Sequence, residues 1–150
     1  MHIAMIGSGY VGLVSGACLA DFGHVVTCVD KDADKIAALQ RGQMPGLAEI
    51  VVNNARQERL FFTTDLAKAV RGADAVFIAV GTPSRRGDGH ADLTYVFEAA
   101  KEIASALDGF TVVVTKSTVP VGTGDEVERI IRETAPGCDV AVVSNPEFLR

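Results

Sequence analysis

Nothing in the 150-residue chain approaches the roughly 18 consecutive apolar residues of a membrane-spanning helix. The first residues run straight into an apolar segment with no signal-peptide pattern, so the expected location is cytoplasmic, with no membrane partner. Cysteine is scarce. Cys18, Cys28 and Cys138 lie far apart in apolar segments, and none belongs to a CxxC pair, which predicts buried, reduced thiols. A basic stripe is also missing: 14 Lys and Arg face 19 Asp and Glu, the signs are mixed along the chain, and the net charge is −5. That balance gives no footprint for nucleic acid. There is no internal repeat, no low-complexity tract and no linker, so residues 1–150 read as a single domain. What remains is a chain with 48% hydrophobic and 22% charged residues, the composition of a soluble globular fold.

The apolar residues fall in short, continuous runs: IAMI (3–6), VVTCV (25–29), LFFTT (60–64), AVFIAV (75–80), FTVVVT (110–115) and VAVVS (140–144). Most do not alternate with polar residues, as expected of strands buried on both faces of a parallel sheet. Between them, helical patterns cover 10–22, 32–41, 47–56, 65–71, 93–107 and 124–134. Asp92 precedes one helix as a cap, Thr123 and Glu126 have the spacing of a capping box, and Gly23 and Gly109 sit where helices should end. Alternating strands and helices predict an α/β fold: a mainly parallel, doubly wound six-stranded sheet with helices on both faces.

The first strand leads into MIGSGYVGLVSG, with G-x-G-x-x-G at Gly7, Gly9 and Gly12 just before a helix. Glycine spacing alone says little, but strand, loop and helix in this order are the setting of a dinucleotide site. Gly7 allows the tight turn, and Gly9 lets a pyrophosphate approach the backbone. Gly12, with Gly16 one turn on, lets the helix pack closely. The helix N-terminus adds free N–H groups and the positive end of its dipole. Asp30 ends the second strand, placed to accept hydrogen bonds from a ribose diol and to repel a 2′-phosphate, which favours NAD over NADP. Lys31 and Lys35 nearby blunt that preference.

Ligands of such sheets bind beyond the carboxyl ends of the strands. Here those ends read GSGYVG, Asp30, GTPS (81–84), KSTVP (116–120) and SNPEF (144–148), each small or polar after an apolar run. Asn145, Pro146 and Glu147 also suit a helix start, and capping and catalysis are compatible roles for Glu147. Asp88, His90 and Asp92 alternate in the polar loop at 85–93, but a glycine-rich loop fixes no coordination geometry and Asp92 is needed as a cap. No metal site is expected. Arg85 and Arg86 read as ordinary exposed arginines.

IAMIGSGYVGLVSGACLADFGHVVTCVDKD, ADAVFIAVGTPS, VVVTKSTVPVGTGDEVERI and VVSNPEFLR together cover most of the chain. In that order they resemble the N-terminal, Rossmann-like part of the UDP-glucose 6-dehydrogenases, within the wider nucleotide-sugar dehydrogenase family. The resemblance implies oxidation of UDP-glucose at C6 to UDP-glucuronate with two NAD⁺, a step of polysaccharide precursor synthesis. The path implied runs through an aldehyde, a cysteine thiohemiacetal and a thioester that is hydrolysed. By motif, Gly7, Ser8, Gly9, Tyr10, Val11 and Gly12 would hold the pyrophosphate, Asp30 the ribose, and Lys35 a further cofactor contact. Gly81, Thr82, Pro83 and Ser117 would line the cofactor. Thr118 would help position the hydrolytic water, and Glu147 would act as an acid/base group near the sugar.

The family pattern is departed from in two places. QMPGLAEIV (43–51) is about four residues short of the family's corresponding segment. The family's nucleophilic cysteine lies downstream in a glycine-rich motif that this chain does not contain, and Cys18, Cys28 and Cys138 do not match it. The expectation is therefore an isolated cofactor domain that binds NAD without turnover, the central helix and substrate domain being absent. Homo-oligomerisation stays open. The alternatives are the same domain of an enzyme for GDP-mannose or UDP-N-acetylmannosamine, or a nucleotide-binding module with no reaction of its own.

Overall fold

A computed structural model describes residues 1–43, 47–84 and 90–147. Arg85, Arg86 and Asp88 lie outside the described residues, as do positions 44–46 of the short segment and Phe148, Leu149 and Arg150. Six parallel strands form one sheet: β1 (His2–Ile6), β2 (Val25–Val29), β3 (Leu60–Thr63), β4 (Ala75–Ile78), β5 (Thr111–Thr115) and β6 (Val140–Ser144). Their spatial order is β3-β2-β1-β4-β5-β6. The helices are α1 (Tyr10–Asp21), α2 (Ala33–Gln40), α3 (Ala48–Arg56), α4 (Leu66–Val70), α5 (Thr94–Ala104) and α6 (Thr123–Thr134). No helix among the described residues is long and apolar enough to cross a membrane.

The continuous apolar runs are explained by two cores. In β1, Ile3 and Met5 enter the core under α1, α2 and α3, while Ala4 and Ile6 enter the core under α4, α5 and α6. Burial of Ile3, Met5 and Ile6 contributes about 1.5–3 kcal/mol each. A polar residue anywhere along β1 beyond its first position would forfeit that on one face or the other.

Glycine in α1 costs about 1 kcal/mol per residue relative to alanine, and the packing shows what that cost secures. A Cβ on Gly12 would collide with the carbonyl of Gly7 and press on Ala79, and one on Gly16 would lie 2.7 Å from Cys28 Sγ. The helix thus lies directly against the glycine loop and β2. It ends in a Schellman motif, where Gly23 (φ +98°) donates to Ala20 O and His24 donates to Leu19 O.

Three capping expectations are corrected. α6 is capped by Gly122 in the left-handed region (φ +88°), not by a Thr123–Glu126 box. Thr123 Oγ1 turns back to Pro120 O, and Glu126 pairs with Arg129. Gly109 does not end α5, which stops at Ala104; Ser105 Oγ bonds Lys101 O at the frayed turn. Asp92 is not the N-cap either: α5 starts one residue later than expected, its N-cap is Leu93 with no side-chain cap, and Asp92 Oδ1 accepts from Thr94 N–H and Oγ1–H just ahead of it.

Candidate functional site

β1 sits between β2 and β4, so its two neighbours connect through opposite faces of the sheet. A crevice opens beyond the carboxyl ends at such a switch point. A groove of about 750 Å³ occupies it here, within the roughly 300–1,000 Å³ range of small-molecule sites. Its floor is Ile6, Val29, Ala79 and Val80; Gly7, Gly9 and Gly81 form one end; Asp30, Lys31 and Lys35 stand on the β2 side. Thr64 to Ala67, where β3 passes into α4, and one face of α5 complete the walls.

The glycine loop makes the tight turn and close helix packing expected of Gly7 and Gly12. Gly7 has φ +102°, and a Cβ there would meet Ala79 O at 2.5 Å, so only glycine lets β1 turn against the β4 exit. Gly9 is different. It has an ordinary φ of −68°, no atom lies within 4 Å of a Cβ placed on it, and it lines the groove. A side chain at Gly9 would fill ligand space rather than strain the fold. Gly9 is also the N-cap of α1 without a side-chain cap. The first helical hydrogen bond runs from Leu13 N–H to Gly9 O, so the amides of Tyr10, Val11 and Gly12 have no intrahelical acceptor. The side chain of Tyr10 is exposed and that of Val11 half-buried, and neither lines the groove; these residues offer backbone.

Ser8 departs from its expected place. It is buried, and its Oγ (2.7 Å) and N–H (3.1 Å) both donate to Asp30 Oδ2. The side chain holds Asp30 instead of facing the groove. Lys35 Nζ reaches the same oxygen at 2.7 Å, and Asp32 N–H donates to Oδ1 at 3.1 Å. Partial burial pushes the Asp30 carboxyl upward, but the hydrogen bonds from Lys35, Ser8 and Asp32 outweigh it and bring the pKa down to about 2. Asp30 is thus a fixed carboxylate on the groove wall.

The β4, β5 and β6 exits form a second cluster. Gly81 belongs to the groove, and the next residue, Thr82, donates to Thr118 O at 3.1 Å. Ser117 Oγ donates to Val80 O at 2.8 Å and lies 3.3 Å from Ile78 O, so its hydroxyl braces the β4 exit. Thr118 Oγ1 donates to Glu147 O at 2.7 Å. Pro83 O accepts from Asp92 N–H, and Ser84 bridges Ala91. Thr82, Pro83, Ser117, Thr118 and Glu147 adjoin the groove through the β4 exit but do not line it. Residues 145–147 are not helical: Asn145 N–H donates to Thr115 O and Glu147 N–H to Lys116 O.

Lys116 was not singled out from sequence. Its side chain is largely buried, and its Nζ donates to Glu147 Oε2 at 2.7 Å and Asn145 Oδ1 at 3.3 Å. The signal was present, since Lys116 is the only charge at the end of an otherwise apolar and hydroxylic strand. The α5 wall was also missed, although Tyr95, Glu98, Ala99 and Glu102 have the spacing of one helical stripe. The cysteines are free, and burial pushes the Cys28 thiol up to about 12. Among the described residues no group of three or more His, Cys, Asp or Glu could hold a metal ion.

The chain is 71% identical to a UDP-glucose 6-dehydrogenase of Rhizobium meliloti (strain 1021), covering 100% of this chain and 35% of that protein. In three dimensions it matches a GDP-mannose dehydrogenase from Pseudomonas aeruginosa with a TM-score of 0.94 at 38% identity, covering 100% of this chain and 37% of that one. It matches a UDP-glucose dehydrogenase from Pyrobaculum islandicum with a TM-score of 0.91 at 39% identity, covering 99% and 36%. The chain therefore spans about a third of the length of these relatives. The sequence profile of the UDP-glucose/GDP-mannose dehydrogenase family's NAD binding domain matches residues 1–150 from end to end, so the chain belongs to that family and forms its NAD binding domain.

Proposed function

We propose that this chain is the cofactor-binding part of an enzyme that oxidises UDP-glucose to UDP-glucuronate with two NAD⁺, in the cytoplasm. The observation that carries the choice of sugar is the 71% identity, along the full chain, to a UDP-glucose 6-dehydrogenase. The groove suits the cofactor: glycine where a side chain would obstruct, open amides at α1, and a fixed carboxylate beyond. When bound, NAD supplies the hydride acceptor. In this reading the backbone of residues 7–12 binds the pyrophosphate, with Ser8 acting through Asp30. Asp30 accepts from the ribose hydroxyls, which requires Lys35 to share or yield Oδ2. Gly81, Thr82, Pro83 and Ser117 shape the cofactor's other end. Thr118 and Glu147 act beside the sugar, with Lys116 keeping the Glu147 carboxylate oriented.

Calorimetric titration of the 150-residue chain with NAD and NADP tests the cofactor reading: NAD binds more tightly. Asp30→Ala weakens NAD by about 1–3 kcal/mol through lost charge-assisted hydrogen bonds, and affects NADP less. Unchanged NAD affinity would remove Asp30 from the site. With UDP-glucose and NAD⁺ the chain alone produces no steady NADH, and the protein extended by the remaining length of its relatives does. If the extended protein oxidised GDP-mannose in preference, the sugar assignment would pass to the relative with the 0.94 TM-score.

A further inference from the structure

A second hollow, of about 510 Å³, lies beside the edge strand β3 and shares no lining residue with the groove above. β3 contributes Leu60 and Phe62 to it, α2 contributes Leu39, and α3 contributes Val51 and Val52. All but Val52 belong to the core under α1, α2 and α3, which comes to the surface here. Gln40 Nε2 donates to Phe62 O at 3.0 Å, so that carbonyl is not left for a ligand. Two cations also line the hollow, Arg41 just past α2 and Arg56 at the end of α3. Arg41 Nη2 meets the amide oxygen of Gln43 at 3.3 Å and no carboxylate, and among the described residues the Arg56 guanidinium has no partner. Elsewhere Lys31, Lys35, Lys116, Arg129 and Arg132 each reach a carboxylate. Among the described residues no acid lines the hollow, although the chain carries a net charge of −5.

We propose that this hollow is a second binding site, for a small amphiphilic anion: an apolar body carrying one carboxylate, sulfonate or phosphate group. The body covers the apolar side chains of β3, α2 and α3, which gains by removing their surface from water. The anionic group meets Arg41 and Arg56, whose planar forks match its oxygens and are not committed to any acid of the chain. The dimensions select a small molecule over a docked helix. Leu60 to Phe62 spans about 7 Å at the rise of a strand, and Val51 to Arg56 about 8 Å at the rise of a helix. An amphipathic helix anchored through i, i+4 and i+7 needs about 10 Å of apolar floor. The volume lies within the roughly 300–1,000 Å³ range of small-molecule sites.

The test is fluorescence titration with two probes of one skeleton: 8-anilinonaphthalene-1-sulfonate, and N-phenyl-1-naphthylamine, which lacks the sulfonate. Saturating NAD is present to keep both out of the first groove. The sulfonate probe binds at one saturable site, about tenfold more tightly than the neutral probe. Arg41→Ala combined with Arg56→Ala leaves the neutral probe nearly unchanged and brings the two within about twofold. Ala55→Glu sets a carboxylate in the hollow and weakens the sulfonate probe at least about tenfold. All three positions are exposed, so the variants should melt with the parent chain. Absence of a saturable site, or a tenfold preference that survives both variants, overturns the proposal. Loss of probe sites as the protein concentration rises would give the hollow to a second copy of the chain and overturn it too. The result is separable from the NAD reading: were NAD not to bind, the variants would still locate the probe.

Discussion

At the β1 and β2 exits a knot of side chains around Asp30 borders an open groove with unpaired helix-terminal amides, whereas at the β5 and β6 exits the polar side chains bind one another outside the groove. The first region offers helix-terminal amides, a glycine with nothing around it and a carboxylate fixed by its neighbours. The second spends its groups internally: Lys116 on Glu147 and Asn145, Thr118 on Glu147 O, Ser117 on Val80 O, Thr82 on Thr118 O. A ligand can enter the first with little rearrangement, apart from Lys35. Any ligand using the side chains of the second must displace an existing partner. In the proposed reading the first region receives the cofactor, and the second is a brace whose polar groups already have partners.

Substitutions in the glycine loop put the largest strain on that contrast. Gly12→Val drives a side chain into the Gly7 carbonyl, a backbone atom that cannot swing away, and should cost more than about 3 kcal/mol of stability. Gly9→Val should leave the thermal midpoint nearly unchanged while weakening NAD at least about a hundredfold, because its side chain occupies ligand space alone. Parallel melting curves and titrations separate the two; NAD binding undisturbed by Gly9→Val would mean the groove is not the receptor.

Lys116→Met should do the reverse. Removing the ammonium leaves Glu147 and Asn145 unanswered beside a largely buried site, for a loss of about 1–2 kcal/mol in denaturant unfolding. NAD affinity should stay within about twofold, because Lys116 does not line the groove. A large loss of NAD affinity without loss of stability would move Lys116 into the receptor.

An effect no larger than that is expected from acid. The Asp30 pKa is near 2 in the folded chain, below its ordinary value of 3.8. Its contribution is therefore complete above about pH 4 and is lost as pH falls toward 2. The loss should be about 1–2 kcal/mol, allowing for partial solvent screening. Asp30→Asn should flatten that part of the stability–pH curve; an unchanged curve would show that the Ser8 and Lys35 bonds do not hold the carboxylate.

The same contrast governs what could be read in advance. The strands were legible because each carries an apolar run; the inner four bury residues on both faces, while the edge strands β3 and β6 leave Phe61 and Val143 exposed. The glycine loop was legible because each glycine answers a steric demand that spacing encodes, and Asp30 because it ends a strand at a set distance from them. The cross-ties were not legible. Lys116 and Glu147 are 31 residues apart and meet only because β5 and β6 are neighbours in register. The inward turn of Ser8 had no sequence signal either, since a serine in a glycine loop can face either way. The Thr123–Glu126 spacing misled because Gly122, in a conformation that favours glycine, had already taken the cap.

The strand order has one more consequence. Because β1 and β4 adjoin where the crossovers change face, the floor residues Ile6 and Val29 come from one half of the sheet while Ala79 and Val80 come from the other. A molecule seated there fastens the halves together like a rivet through two plates. Occupancy should therefore be visible as heat resistance of the whole chain, about 2.7 kcal/mol at a hundred times the dissociation constant, with both plates letting go at the same temperature.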